Sequence, residues 1–219
     1  MNNPWIDLPT DAPFILPQDK AALGRYDSLF TLQHGLRFDK LPLPYVGSPA
    51  TASVVLLALN GGFKPEDIDH QNDDKDFAEQ NRKNLTFDSR YPFFYLDPAF
   101  KYTGGYQWWH RRLRHFIHRY GLDVVASQFA CVQSFPYCSP SYKALPFPFP
   151  SQEYSYSLVK QAIQDGKPIV IMRSRKIWFR CVPELQDYPY IELKYPRNPC
   201  IDRKHMTDTQ FEQLEATLK

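Results

Sequence analysis

An asparagine and two glycines follow a strongly apolar stretch, and these residue types at that place can do chemistry. The segment VVLLALNGG is typical of a strand buried on both faces in a parallel sheet, and Asn60 stands at its exit. Ligands of open parallel sheets bind beyond the carboxyl ends of the strands. Gly61 and Gly62 would let backbone amides approach a carbonyl or a phosphate, and the acidic run after them favours an anion-binding helix N-terminus. The alternative is a simple strand-to-helix turn.

Basic side chains follow other predicted elements and suit contacts with phosphate groups. The segment YQWWHRRLRHFIHRYG predicts a helix ending at Gly121, apolar on one side and cationic on the other. A strand over KPIVIMRS places Arg173 at a strand end, followed by Arg175 and Lys176. For any single arginine, a solvated helix face is the alternative interpretation. The cationic residues of the helix are Arg111, Arg112, Arg114 and Arg119.

Common cofactor and metal motifs are absent from the sequence. Neither GxGxxG nor GxxxxGK[ST] occurs, and GxSxG and HExxH are also missing. The histidines of the predicted helix lack the i, i+4 spacing of helical zinc sites, and the four cysteines form no CxxC pair. We therefore expect no cofactor and no metal, and reduced cysteines with a structural role.

The order of predicted elements indicates an α/β fold. Strands alternate with helices, which predicts a three-layer α/β/α sandwich around a central, mainly parallel, four-stranded sheet. The 219 residues suit one domain, with residues 1–41 as a proline-rich N-terminal arm that includes a short helix after Asp19. No signal peptide or membrane span is recognisable, so we expect a cytoplasmic, monomeric protein that does not contact membranes.

The stretch between Phe63 and Tyr102 is polar, acidic and aromatic, and it predicts a long functional loop. Its run YPFFYLDP offers Phe94 to stack on a flat ligand, with a place in the core as the alternative for these aromatic residues. The net charge of the whole chain is only +2, so any surface for nucleic acid must be a local basic patch.

The segment PLPYVGSPATASVVLLALNGG resembles the first motif of the uracil-DNA glycosylase superfamily, in which a strand runs into a glycine-hydrophobic-Asn-Pro-Gly type sequence. Asn60 matches the catalytic asparagine of the mismatch-specific and single-strand-selective branches, while Ala58 replaces the leading glycine and Gly61 the proline. The second motif, similar to Asn-Pro-Ser, corresponds to Asn198 and Pro199 in YPRNPC, where a cysteine replaces the serine.

This resemblance implies a DNA glycosylase that flips a damaged or modified pyrimidine out of DNA and hydrolyses its N-glycosidic bond during base excision. Asn60 would hold the attacking water, with Asp67, Asp69 or Asp88 as candidate bases. The implied substrate-binding residues are Gly61, Gly62, Phe63, Phe94, Gln133 and Arg197, Asn198 would act beside Asn60, and the implied DNA-binding residues are Arg173, Arg175, Lys176 and Pro199.

The segment that would read the base departs from the family pattern. Uracil-selective members place an asparagine or a similar group at the end of the middle strand, where this chain offers Gln133 and Ser134. The longer glutamine implies a differently placed or decorated base. Some relatives act on hypermodified bases of invading phage DNA, and the long polar loop favours the hypothesis of a hypermodified cytosine.

Two other functions compete with the enzyme. Neither motif is intact, which leaves open an inactive glycosylase-fold module that binds nucleic acid or modified nucleotides. An unrelated α/β hydrolase of small nucleosides is the second alternative. Abasic product on DNA distinguishes the glycosylase from both.

Overall fold

A five-stranded, mostly parallel sheet organises the protein in its computed structural model, which describes residues 1–24, 35–145 and 147–218. Parallel pairing joins β2 to β3 and β4, and β4 to β5, whereas β1 pairs antiparallel with β3. The strand order is β1-β3-β2-β4-β5. The strands are β1 (Tyr45–Val46), β2 (Val54–Gly62), β3 (Phe129–Ser139), β4 (Ile169–Ile171) and β5 (Ile191–Glu192).

The predicted α/β class with a mainly parallel sheet is confirmed, but the predicted number of four strands is wrong. The fifth strand, β1, is only two residues long and lies at the sheet edge, where Tyr45 pairs with Val132. It follows a proline-rich run, and so short a strand leaves no period-2 pattern in the sequence.

Helices cover both faces of the sheet, as a three-layer arrangement requires. Alternate β2 residues point to opposite faces: Val54 and Leu56 pack with the aromatic residues of α4, and Val55 and Leu57 with α6 and α7. Within the described chain, no helix is long and apolar enough to cross a membrane. The helices are α1 (Pro17–Leu23), α2 (Glu66–Asp73), α3 (Lys75–Asn84), α4 (Gly104–Tyr120), α5 (Leu122–Gln128), α6 (Gln152–Gln164), α7 (Arg175–Cys181) and α8 (Asp208–Thr217).

The predicted long loop after Phe63 is largely helical. Helices α2 and α3 occupy residues 66–84, and two 3₁₀ turns follow at Phe94–Leu96 and Pro98–Phe100. The Asp74 side chain accepts a hydrogen bond from Phe77 N and so caps α3. The buried face of α3 is mostly amide side chains, which hid its periodicity in the sequence; it consists of Phe77, Gln80, Asn81 and Asn84.

The N-terminal arm packs into the fold through Trp5 and Leu16, which are 2% and 1% exposed. Its helix is α1, and the part of the predicted helix beyond Gly24 lies outside the described residues. The Asp19 carboxylate is buried but well paired, because it accepts hydrogen bonds from the Tyr137 hydroxyl and from the backbone and hydroxyl of Ser151. The arm is therefore tied to β3 and to the start of α6.

Residues 37–43, here the covering segment, run antiparallel beside the carboxyl end of β3. Arg37 N donates to Cys138 O at 3.0 Å, and Leu43 N donates to Pro136 O at 2.7 Å. The buried Gln71 side chain of α2 accepts from Leu41 N at 2.8 Å and donates to Asp39 O at 3.0 Å. One amide therefore fixes the covering segment to α2.

We expect Gln71→Ala to lower the free energy of unfolding by about 1–3 kcal/mol, because it leaves Leu41 N without its partner in a buried place. Chemical denaturation measures the effect. Gln161→Ala is the matched control, since that amide is exposed and bonds only the Asp165 side chain. Its expected change is within about 0.5 kcal/mol. Equal losses in the two variants would contradict a fixing role for Gln71.

Candidate functional site

Strand β2 extends beyond the rest of the sheet. Leu57 is the last β2 residue paired with β4, where it lies opposite Ile171. The pairing with β3 continues to Asn60 and Gly62, which lie opposite Phe135 and Ser139. At about 3.3 Å per residue, Asn60 stands about 10 Å beyond Leu57 along the strand. The carboxyl ends of β2 and β3 thus form a two-stranded projection over the edge where β4 and β5 stop.

The Asn60 amide is oriented by two hydrogen bonds at the tip of this projection. Its Nδ2 donates to Ser139 Oγ at 2.8 Å and to Gly61 O at 3.1 Å. A backbone carbonyl only accepts, so the nitrogen must face Gly61, and Oδ1 points the other way. No donor to Oδ1 is present in the part of the chain that the structure describes. The half-buried Asn60 therefore presents a fixed acceptor that can hold a water molecule.

The two glycines after Asn60 have different surroundings. A Cβ on Gly61 would lie 2.8 Å from Cys138 Sγ, which no real Cβ tolerates, while a Cβ on Gly62 would meet nothing within 4 Å. The pairing register also shifts between Asn60 and Gly62. Gly61 is therefore required by close packing against β3, and Gly62 leaves its backbone open at the mouth of the site.

A buried cation lies close to this strand end. Lys40 is 2% exposed, and Tyr95, Cys138 and Asp67 are the neighbouring groups that act on its charge. Burial alone lowers the pKa of Lys40, but the Tyr95, Cys138 and Asp67 groups outweigh that effect and raise the pKa above its ordinary value. Burial also raises the pKa of Tyr95 and of Cys138.

The mouth of the site combines an aromatic ring with charged groups. The Arg37 guanidinium lies 4.0 Å from the centre of the half-buried Phe63 ring and forms an ion pair with Asp39. Asp67 accepts a hydrogen bond from Lys64 N at 2.8 Å in the first turn of α2. Of the three predicted candidate bases, Asp67 is the one whose charge acts on Lys40. The other two, Asp69 and Asp88, are exposed.

Gln133 points to the same face of the sheet as Asn60. It pairs with Ala58, and side chains of parallel partners and of residues i and i+2 share a face. The Gln133 side chain is 3% exposed, and its Oε1 has no hydrogen-bond partner within the described ranges. A buried amide oxygen without a partner is uncommon and suits a ligand contact.

Phe94 lies in the hydrophobic core. It is 1% exposed, and its ring packs against Phe77, Tyr95 and Phe100 at centroid distances of 4.7–5.5 Å. These contacts occupy the ring, and the alternative interpretation of a core residue describes its position. Phe63 is the aromatic residue at the mouth of the site.

Residues 195–200, here the late loop, are held by two arginines. Arg112 Nη1 donates to Asn198 Oδ1 at 2.8 Å and to Cys200 Sγ at 3.5 Å. Arg173 Nε donates to Pro196 O at 3.0 Å, and Met172 N beside it donates to Leu57 O of β2. Asn60 and the late loop therefore lie at the same edge of the sheet. That their side chains face each other across a pocket remains a prediction.

The remaining predicted DNA-binding residues differ in their exposure. Arg175 is exposed and forms an ion pair with Glu192 at 2.6 Å, so its charge is partly neutralised. Lys176 and Arg197 are exposed, whereas Pro199 is buried. Arg173, which donates to the late loop, and the exposed Arg197 of that loop are therefore the predicted DNA-binding cations at the edge where Asn60 projects.

Two surface cavities lie elsewhere. One, of about 670 Å³, is a basic groove beside α4. The other, of about 350 Å³, lies next to Ser134 on the α6 and α7 side of β3. Asn60 lines neither of them. The basic residues of the groove are His110, Arg114, His115, His118, Arg203 and Lys204, and Asp202 lies beside them.

The sequence reasoning missed Ser139 and Lys40. Ser139 is 79 residues from Asn60, and nothing local announces their contact. Of these residues, only Lys40 could have been noticed in the sequence, because it is a charged residue directly before the apolar run LPLPYV. In the described part of the chain, no three His, Cys, Asp or Glu side chains come together as a metal would require.

We expect Gly61→Ala to destabilise the protein by about 1–3 kcal/mol, because the added methyl overlaps Cys138 Sγ. Gly62→Ala is the matched control and should be nearly neutral. Thermal unfolding of both variants checks this. The double substitution Gly61→Ala with Cys138→Ala removes the overlapping sulfur and should recover part of the loss. No recovery would contradict the proposed contact.

A double-mutant cycle tests the anchoring of the late loop. We expect Arg112→Met and Asn198→Ala to couple by about 1–2 kcal/mol in the free energy of unfolding, because each removes the same charge-assisted hydrogen bond. The control is a second cycle that combines Arg114→Met, at an exposed arginine of the same helix, with Asn198→Ala. Its expected coupling is near zero. A coupling near zero in both cycles would mean that Arg112 does not hold Asn198 in solution.

The chain matches no protein-family model, no curated protein and no solved structure. The resemblance of its two motifs to the uracil-DNA glycosylase superfamily thus remains an expectation from the sequence. What supports a function is the arrangement of Asn60, Lys40, Asp67 and the late loop at one edge of the sheet.

Proposed function

We propose that this chain is a DNA glycosylase that hydrolyses the N-glycosidic bond of a damaged or modified pyrimidine extruded from DNA, leaving an abasic site. The observation that carries the proposal is the Asn60 amide, whose nitrogen is held on two sides while its oxygen has no donor among the described residues. This residue type at a β2 exit is what the resemblance to the uracil-DNA glycosylase superfamily implies. The fold proposed with it is a three-layer sandwich of that superfamily.

The chemistry requires positive charge on the sugar and negative charge on the departing base to be stabilised together. An amide cannot remove a proton from water, but Asn60 Oδ1 can accept a hydrogen bond from a water below the sugar. This positioning suffices when the bond breaks largely by dissociation, since the water then meets an electrophilic carbon. Asp67 is proposed to favour the cationic sugar through its charge, or to take the proton of the water.

Base recognition is proposed for Gln133 and Phe63. Gln133 has a buried oxygen in need of a donor, and its amide has the paired donor and acceptor that a pyrimidine edge can match. Phe63, rather than the core residue Phe94, offers a ring at the mouth of the site. Backbone amides at Gly61 and Gly62 are further proposed contacts.

DNA backbone binding is proposed for the cationic part of the same edge. Arg173 and Arg197 lie there, and the basic groove beside α4 offers further cations such as Arg114 and Lys204. Phosphates lying along these groups would release counterions, so the proposed affinity falls steeply with salt. DNA is thus the proposed partner, and Asn198 is proposed to act on the substrate from the late loop.

The preferred base is proposed only as a modified pyrimidine. The predicted long loop favoured a hypermodified cytosine, and helices α2 and α3 now occupy much of that stretch. The proposal of an anti-phage role therefore rests on Gln133 alone, which stands where uracil-selective members have an asparagine or a similar group. The alternative of an inactive module binding nucleic acid or modified nucleotides predicts binding without any abasic product.

We expect Asn60→Ala to slow abasic-site formation by about 100-fold or more, because the water loses its fixed acceptor. Oligonucleotides carrying uracil, thymine mismatches or modified cytosines are incubated with the protein and cleaved with alkali. Lys160→Ala, at an exposed lysine paired with Glu184, is the control for a surface change on the same protein, with full activity expected.

Binding of the same oligonucleotides should be unchanged by Asn60→Ala, which separates chemistry from affinity. The proposal fails if the wild-type protein yields no abasic product on any substrate of the panel. DNA binding in that case would favour the inactive module, and cleavage of free nucleosides would favour a nucleoside hydrolase.

A further inference from the structure

The basic groove beside α4 holds more positive than negative charge. Its volume is about 670 Å³, and it is lined by α4 on one side and on the other by residues 202–204, here the groove turn. Its Arg and Lys side chains are Arg114, Arg203 and Lys204, whereas Asp202 is the acidic residue among its described lining residues. Three cations against one carboxylate leave an excess that an anionic partner can neutralise.

Two of these three cations have no charged partner within the fold. Arg203 Nη1 forms an ion pair with Asp208, the first residue of α8, at 2.6 Å. Arg114 and Lys204 are exposed, and neither side chain forms an ion pair or a hydrogen bond in the part of the chain that the structure describes. Arg114 and Lys204 are therefore the cations of the groove that a ligand can use at no cost to the fold.

The α4 wall presents basic residues at regular intervals. His110, Arg114 and His118 follow one another at i, i+4 and i+8, so they share one face of the helix. At 1.5 Å per residue, neighbours in this row are about 6 Å apart along the axis, and the row is about 12 Å long. Neighbouring phosphates of a nucleic-acid strand have a comparable spacing. The row therefore suits a phosphate backbone better than a single anion.

The groove is connected to the edge of the sheet where β2 projects. The late loop runs through Ile201 into the groove turn, and Ile201 N donates to Arg112 O of α4 at 2.9 Å. Arg112 Nη1 also holds Asn198 of the late loop, and Arg114 follows two residues later on the same helix. Both walls of the groove thus begin next to the late loop, so a DNA strand that passes the late loop can continue into the groove.

We propose that this groove binds the phosphate backbone of the DNA strand that flanks the extruded nucleotide, with Arg114 and Lys204 contacting phosphates from its two walls. The inference rests on the proposed function and goes beyond it in giving the flanking strand a path and named contacts. Phosphate contacts carry no base preference, so these residues act on affinity and not on the chemical step. An acidic protein segment is the competing occupant.

The first measurement is the salt dependence of DNA binding. The probe is a duplex with one stable abasic-site analogue, so no bond is hydrolysed during the titration. We expect Arg114→Gln with Lys204→Gln to lower the slope of log affinity against log salt by about 2, because each phosphate contact contributes about 0.9 to it. A slope equal to that of the wild-type protein overturns the proposal.

Two control variants separate the groove from net charge. Lys83→Gln with Lys160→Gln removes the same number of charges at exposed lysines paired with glutamates, and the wild-type slope is expected. Arg114→Lys with Lys204→Arg exchanges the two cations and should also keep the slope, because each phosphate still meets a positive charge. If the lysine control loses as much slope as the groove variant, net charge sets the affinity and the proposal is overturned.

The second measurement locates the contact along the DNA. The duplex is shortened stepwise, first on one side of the analogue and then on the other. On one side, shortening should weaken binding by the wild-type protein about tenfold at low salt and affect the Arg114→Gln, Lys204→Gln variant much less, because the groove holds the phosphates that are removed. Equal losses for both proteins on both sides mean that no flanking strand lies in the groove.

The third measurement tests the class of partner. Poly-glutamate, at the same concentration of charge as the duplex, is the probe for an acidic protein segment. We expect the duplex to bind more tightly than poly-glutamate. Tighter binding of poly-glutamate, lost in the Arg114→Gln, Lys204→Gln variant, would assign the groove to a protein partner and overturn the proposal.

Failure of the proposed function has a different signature. If the wild-type protein forms no abasic product from any substrate but the groove variant lowers the salt slope, the glycosylase proposal fails and the groove remains a site for a nucleic-acid backbone. If abasic product forms and the groove variant matches the wild-type protein in slope and flank dependence, the glycosylase proposal stands and the groove proposal fails.

Discussion

The parallel pairing of β2 with β3 beyond the end of β4 is the constraint on which the candidate site depends. This pairing places Asn60 about 10 Å past Leu57, where Asn60 Nδ2 donates a hydrogen bond to Ser139 Oγ. Because Ser139 and the Gly61 carbonyl take both sides of the amide nitrogen, the oxygen has a defined direction. Without this pairing, Asn60 would be a loop residue with a freely rotating side chain.

Buried polar atoms without hydrogen-bond partners occur at this edge and elsewhere in the described chain, for example at Trp5 and Ser155. Gln133 Oε1 and Arg112 Nε are the ones at this edge. Asp19, at the opposite side of β3, shows that this protein can satisfy a buried charge fully where the role is structural. Gln133 Oε1 is the one of these atoms on the sheet face that carries Asn60, so it is the one that suits a ligand contact.

Much of the fold followed from sequence periodicity, and much of the site did not. Helix α4 was predicted from its apolar face and its end at Gly121, and α8 from its threonine cap, because both signals are local. Helix α3 was not predicted, because its buried face carries amide side chains. One of them, Asn84, donates a hydrogen bond to the Tyr45 carbonyl. Only tertiary structure makes an amide a core residue.

The site residues divide in the same way. Asn60 was found because a polar residue at the end of an apolar strand is visible in the sequence. Ser139 and Lys40 were missed because their importance comes from contacts across 79 residues and from burial of a cation. Phe94 was misleading for a related reason, since an aromatic run in a polar stretch can equally be the part that packs, and here Phe94 packs against Phe77.

Hydrogen exchange of the full chain with and without DNA tests the central claim most directly. The DNA carries one cationic pyrrolidine abasic-site analogue, which mimics the charge of the sugar in the transition state. If the β2 exit is the catalytic site, the analogue should slow exchange at residues 60–64 and in the covering segment, relative to the same DNA with a normal nucleotide. Equal exchange at residues 60–64 with both DNAs, or protection confined to the cavity beside Ser134, would contradict it.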